Sequence, residues 1–272
     1  MPRAGKSIVT LATDFGERDP YVGAMRGAIL AVNPAAVLID LSHDIPPHDI
    51  LAGAFLLATS FDTFPPGTIH LAVVDPGVGT ARRPLLVRTR DYLFLAPDNG
   101  LLSLALERQP AAAAFHVTAR EFFRPEVSAT FHGRDLFAPC AGWLSRGIPP
   151  DRFGPEAGDL VRLGVDAPAR AGSVLRGAVI HVDRFGNLIT NLSRAAVTAA
   201  GHSPGARPTV LHLGPHRIGT LVLTYGEGPA NAPFLVFDSF DLLEVAFREA
   251  SAAVRLGAGR GAIVELDLES SG

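Results

Sequence analysis

Residues 73–83 read VVDPGVGTARR: an apolar run ends near Asp75, a Pro-Gly-Val-Gly turn follows, and Arg82 and Arg83 close it. An aspartate and an arginine on either side of so tight a turn can hold and polarise one small polar group. Other acidic or amide groups stand at the ends of apolar runs, Asp14 in TDFG and Asp98 with Asn99 in APDNG. FHGRD gathers His132, Gly133, Arg134 and Asp135 before a helical stretch. Each of these also has a plain structural reading. An aspartate before a helix is often an N-cap worth about 1 kcal/mol, and one loop histidine among nine says little. The glycines of DPGVGT lack the Gly-Lys-Ser/Thr of a phosphate loop and the spacing of a dinucleotide fingerprint. Asp14, Asp19, Asp40, Asp44 and Asp49 crowd the N-terminal region. No His/Asp/Glu spacing there matches a metal geometry, so neither a metal nor another cofactor is expected.

The elements that must position these residues come in two textures. In the first half, strand-like runs (7–13, 37–41, 68–74, 85–89, 92–96) alternate with helical ones (21–32, 50–60, 135–144). This predicts an α/β domain over residues 1–166, with a mostly parallel sheet and helices on both faces. In such sheets ligands bind beyond the carboxyl ends of the strands. The segment APARAGS, 167–173, reads as a linker. Beyond it, short runs at 174–182, 188–192, 209–213, 218–224, 234–237 and 263–268 are punctuated by Gly, Pro, Asn and Asp. They predict a small antiparallel β-barrel domain over 174–272.

Composition bounds the function. With 47% hydrophobic and 19% charged residues the chain can build a packed core. Net charge is −3, the arginines are scattered and Lys6 is the only lysine, which argues against a nucleic-acid partner. Cys140, the only cysteine, excludes an intramolecular disulfide and suits a reducing compartment. No apolar stretch approaches the roughly 18–20 residues that cross a bilayer, and the N-terminus lacks a signal-peptide core. A soluble cytoplasmic protein without a membrane partner is the expectation.

TDFGERDPYVGAMRG, LSHDIPPHDI, FPPGTIHLAVVDPGVGTARR, APDNGLLS, FHGRDLFAP and VDRFGNLITN occur together in this order. From Ile8 to about Val264 the chain closely resembles the S-adenosyl-L-methionine (SAM) hydroxide adenosyltransferases, or SAM hydrolases, relatives of the fluorinating and chlorinating adenosyl transferases. The resemblance implies a homotrimer with substrate held between neighbouring subunits. It also implies attack of water or hydroxide on ribose C5′, releasing adenosine and methionine. The catalytic triad it implies is Asp75, Arg82 and His132. Arg82 is taken rather than Arg83 because it stands at the family's spacing, which leaves Arg83 a structural role. Asp14 matches the aspartate on the ribose hydroxyls. Asp183, Phe185 and Asn187 match positions that meet the methionine amino group and the adenine, and Ser239 matches a methionine-carboxylate contact. Tyr225 offers an aromatic face, and Arg248 and Ala250 align with backbone contacts at the adenine edge.

Some positions depart from the family pattern. The hydrolases more often carry Asn-Ser where this chain has Asp238-Ser239, and Gly where it has Ala250. His48 stands where the halogenases have a tryptophan over the ribose. The fluorinating relatives carry Tyr-Ser for His132-Gly133 and tyrosine for Asp75, with no equivalent of Arg82. An anionic Asp75 would repel a halide, so hydrolysis is preferred to halogenation. Two further alternatives are a SAM- or adenosine-binding module with negligible turnover and a metal-dependent nucleoside hydrolase, since TDFGERD is similar to the aspartate-rich start of the calcium-dependent enzymes. Whether Asp75 or His132 is the base stays open at this level.

Overall fold

Apolar alternation in the first half folds as a six-stranded sheet with helices on each face. The structure, a computed structural model, describes residues 7–201 and 210–268; Lys6, His202 and Thr209 lie outside the described residues. Two compact units divide the chain, Met1–Leu163 and Gly164–Gly272.

The first unit runs β1 (Ile8–Thr13), α1 (Tyr21–Val32), β2 (Val37–Ser42), α2 (Ile50–Ser60), β3 (Ile69–Val73), β4 (Pro84–Arg88), β5 (Leu93–Pro97), α3 (Ser103–Arg108), β6 (Ala113–His116) and α4 (Ala138–Ser145). Strand order is β2-β1-β3-β5-β4-β6. β2, β1, β3 and β5 are parallel, whereas β4 pairs antiparallel with β5 and β6. The sheet is therefore mixed, and the departure from a parallel reading is confined to one edge. Side chains alternate across it. Val9, Leu11, Ile69, Leu71 and Val73 pack with α1 and α4 on one face. Ala12, Ala72, Val74, Phe94 and residues of α2 and α3 fill the other. Helix α2 reads apolar on nearly all sides because it is deeply buried, and Asp49 caps it by accepting from Ala52 N at 3.0 Å. Among the described residues no helix is long and apolar enough to cross a membrane.

The second unit holds β7 (Ala169–Ala171), β8 (Val174–Val182), β9 (Leu188–Ser193), α5 (Arg194–Ala199), β10 (Leu211–Leu213), β11 (His216–Ile218), β12 (Phe234–Phe237), β13 (Leu242–Ala246), α6 (Ala252–Leu256) and β14 (Ile263–Asp267). The order β11-β10-β14-β8-β9-β13-β12 is antiparallel throughout. Just past β11, Leu221 bridges Leu235 of β12, so the sheet nearly closes into a barrel around Leu188, Leu192, Leu243, Val245 and Leu266. Two details differ from the sequence reading. The segment read as a linker contains β7, which pairs with β8. The strand expected over 218–224 ends at Ile218, because the chain leaves β10 there and turns to meet β12.

Candidate active site

Strands β1, β3 and β5 are parallel neighbours, so Asp14, Asp75 and Asp98, which follow them, emerge at one edge of the sheet. They do not share one fate. Asp98 accepts from Arg83 Nε at 2.8 Å and from Val161 N at 2.9 Å, while Arg83 also reaches Asp159 at 2.7 Å. Asn99 donates to Val74 O at 2.8 Å. These two residues fasten loops. Asp14 accepts from the backbone of His48 at 2.8 Å and so holds the exposed His48 at φ 66°.

Asp75 is different. After β3 the chain turns through Val78 N–Asp75 O (3.2 Å) and Thr80 N–Gly77 O (3.2 Å), which returns Arg82 to the aspartate. Gly79 sits at φ 78°, and a β-carbon there would lie 2.4 Å from Ala129 O, so only glycine permits this approach. Arg82 Nε donates to Asp75 Oδ1 at 3.0 Å and Nη2 to Oδ2, a bidentate pair with side chains only 6% and 5% exposed. The guanidinium lies 5.5 Å from the centre of the Phe137 ring. Its Nη2 is also 3.2 Å from His132 Nδ1. Its Nη1 is buried and makes no hydrogen bond.

Arginine has no acceptor, so the contact with Nδ1 fixes His132 as a neutral imidazole carrying its proton on Nε2. Burial, and then the Arg82 charge, hold the His132 pKa below its ordinary value against the opposing pull of Asp75 and Asp135. His132 immediately precedes a π-helical turn, Gly133–Phe137, that leads into α4. The helix expected over 135–144 thus begins earlier and wider, a distortion common at functional sites. The fully buried Asp135 anchors the turn by accepting from Arg134 Nε at 2.6 Å and Ser128 N at 2.9 Å. At Gly133 a β-carbon would stand 3.2 Å from Met25 Sδ and 3.4 Å from Phe15 and Phe131, which leaves little room for a serine.

The second unit builds a cavity of about 610 Å³. Asp183, Phe185, Asn187, Tyr225 and Ala250 all line it; Ser239 and Arg248 are exposed and outside that lining. Asp183 organises the β8–β9 turn by accepting from Phe185 N (2.9 Å), Asn187 N (2.8 Å) and Asn187 Nδ2 (3.0 Å). This leaves Phe185 76% exposed. Behind the cavity the Tyr225 hydroxyl donates to Glu244 Oε2 at 3.3 Å. Sequence reading missed Glu244, although a carboxylate inside the apolar run LLEVA was the signal that could have found it. Among the described residues no group of three or more His, Cys, Asp or Glu is placed to hold a metal ion. Of the aspartate cluster, Asp49 is a helix cap and Asp40 pairs with Arg26 and His43.

Residues 9–154 match the family model of the SAM hydroxide adenosyltransferase N-terminal domain, and residues 177–265 that of the C-terminal domain. An (R)-S-adenosyl-L-methionine hydrolase of Thermus thermophilus is 38% identical, over 95% of this chain and 98% of its own. A fluorinase of Actinoplanes sp. is more distant, at 28% over 74% of this chain and 76% of its own. A crystal structure of a conserved protein from Thermotoga maritima superposes with a TM-score of 0.89 at 31% identity, over 96% of this chain and 99% of that one. With both domains matched and a relative of this identity spanning nearly its whole length, the chain belongs to the SAM hydroxide adenosyltransferase family.

Proposed function

We propose that this protein hydrolyses S-adenosyl-L-methionine to adenosine and L-methionine, with Asp75, Arg82 and His132 preparing the water. The observation that carries the reading is the buried Asp75–Arg82–His132 cluster with the guanidinium Nη1 left unpaired. The sulfonium leaves as a neutral thioether, so the reaction needs a positioned nucleophile rather than an acid. Arg82 Nη1, across the guanidinium from Asp75, is free to donate to a further oxygen of solvent or substrate. A carboxylate has about four acceptor sites, so Asp75 keeps two after its bonds to Arg82 and can take the water proton. The Nδ1 lone pair of His132 is engaged by Arg82, which makes His132 the residue that steadies the guanidinium and Asp75 the base. As the O–C5′ bond forms, the C5′–S pair departs with methionine and the proton passes to Asp75 and on to solvent. Positioning of this kind can supply on the order of 7 kcal/mol or more at best.

Within the same proposal, Asp14 holds the ribose hydroxyls, and Asp183, Phe185, Asn187, Tyr225 and Ala250 receive the methionine and adenine groups, with Ser239 and Arg248 at the rim. The assembly is a homotrimer that completes each site between neighbouring subunits. In such an assembly a neighbouring subunit would cover exposed apolar side chains such as Phe185, Leu223 (88%) and Val254 (81%). A cytoplasmic location is part of the reading and rests on the single cysteine, Cys140, a buried thiol. The anionic Asp75, paired with Arg82 beside His132, favours water over halide as the nucleophile.

The test is a chromatographic assay of purified protein with SAM, with and without EDTA, beside His132→Ala. Adenosine and methionine should appear in equal amounts, insensitive to chelator and lost in the variant. Adenosine retained without turnover would make the protein a binding module. Sensitivity to EDTA would return the N-terminal aspartates to consideration.

A further inference from the structure

Glu244 stands in the middle of β13 with Ile189 of β9 and Val236 of β12 as its cross-strand partners, and it is 1% exposed. Its Oε2 accepts from the Tyr225 hydroxyl, while Oε1 is buried with no hydrogen-bond partner. A carboxylate left half-satisfied among apolar side chains is costly and calls for a reason. The titratable groups facing it are Tyr225, Asp183 of the β8–β9 turn and Asp238 of the β12–β13 turn. Asp238 is likewise half-used: Oδ1 accepts from Phe240 N and Leu242 N, and Oδ2 is buried and unpaired. Asp183 and Tyr225 line the cavity together with Glu249, and no basic residue does. The charged residues of this lining are therefore acidic alone.

We propose that Glu244, acting beside Asp183 and through Tyr225, is the charge-selecting residue of this cavity, favouring a ligand that carries ammonium and sulfonium charge over the neutral nucleoside left after cleavage. The inference rests on reading the cavity as part of the SAM site. Burial, reinforced by the charges of Asp183 and Asp238 and opposed by the Tyr225 hydrogen bond, pushes the carboxyl of Glu244 up to about 7. It is thus partly protonated in the empty cavity near neutral pH, and a cation drives it to ionise. Glu244 makes the site tighter for the substrate as pH rises through 7 and leaves a neutral product unaffected.

The experiment compares KM for SAM and the inhibition constant for adenosine in the wild type and in Glu244→Gln, which keeps an acceptor for Tyr225 but cannot ionise. At pH 8 the variant should show KM raised about tenfold, the effect of a one-unit displacement of pKa. The loss should fall in KM rather than kcat, and the adenosine constant should hold within about twofold. At pH 6, where the wild-type carboxyl is protonated, the KM ratio should return toward one. The substrate's own amino group titrates near 8 and takes part of the selected charge with it above that pH, so the ratio is compared at pH 8 and below, where the sulfonium and about half or more of the ammonium remain. Tyr225→Phe, lacking the hydrogen bond that favours the ionised form, should move the midpoint of the KM profile to higher pH. A ratio independent of pH, an equal loss for adenosine, or an unmoved midpoint would each overturn the inference and leave Glu244 a packing residue. A wild type that neither binds nor cleaves SAM would bring down the reading of the site, and the inference with it.

Discussion

Replacing Asp75 by asparagine separates the structural from the chemical part of the cluster. The side chain keeps its shape and loses its charge, so Arg82, 6% exposed, becomes a buried cation without its counter-ion. Breaking a buried pair in this way costs about 3–5 kcal/mol. In a unit of this size each kcal/mol moves Tm by roughly 2–4 °C, so the N-terminal unit should melt about 6–20 °C lower. Hydrolysis should fall about 10²–10⁴-fold, the usual worth of a positioned acid–base group. Adding Arg82→Met removes the stranded cation. Because an apolar replacement of a whole buried pair is often neutral or better, the double variant should regain most of the lost Tm and none of the activity. The measurements are calorimetry and the SAM assay on the three proteins. The reasoning is refuted if Asp75→Asn melts within about 2 °C of wild type, or if the double variant is no more stable than the single one.

Two further outcomes follow from particular contacts. Gly79→Ala places a β-carbon against Ala129 O at a positive φ, which costs roughly 1–2 kcal/mol for the backbone alone; it should lower both Tm and kcat, and unchanged kinetics would show that the turn does not govern the site. His70 is fully buried, bonded to Thr10 at 2.8 Å and stacked on Phe94, and burial pulls its pKa down to about 4. The unfolded chain takes up that proton near 6.5 and the folded one does not. Stability contributed by the neutral ring is therefore complete above 6.5 and is lost as pH falls toward 4, on the order of 3 kcal/mol in all. Urea midpoints of wild type and His70→Phe at pH 7 and 4.5 check this: the wild type should lose more than the variant, and parallel losses would sink the assignment.

How far the sequence was legible depended on whether the cause was local. Helices α1 and α2 have the residue limits their apolar spacing predicts, since periodicity is written in the chain itself. The antiparallel turn of β4 was not visible, because Leu85–Val87 is apolar on both faces and looks like any buried strand. The π turn at Gly133–Phe137 depends on room beside Met25, Phe15 and Phe131, a fact of packing that no spacing records. Strand β13 escaped notice because Glu244 interrupts an apolar run, and the tertiary environment that makes a carboxylate tolerable there is assembled from β8–β9, β12 and the Tyr225 segment. Of the proposed triad, the residue types and the turn were legible, but the choice among candidates came from the family resemblance.

The two neighbouring arginines give a physical ground for that choice. Asp75 and Asp98 occupy corresponding places, after adjacent parallel strands, and each takes one arginine of the pair Arg82-Arg83. Ion pairing alone therefore cannot tell chemistry from fastening. What differs is how completely each guanidinium is used. Arg83 spends Nε on Asp98, Nη1 on Asp159 and Nη2 on Asp98 and the Asp159 carbonyl, in partial contact with solvent. Arg82 is more deeply buried, has an imidazole as its third partner, and still keeps Nη1 without an acceptor. A buried donor left unpaired costs about 1–3 kcal/mol, a loss that a fastening pair has no cause to carry. An oxygen of solvent or substrate at Nη1 removes it. For the proposed reaction, the unsatisfied donor, rather than the salt bridge, is what sets Arg82 apart from the fully engaged Arg83.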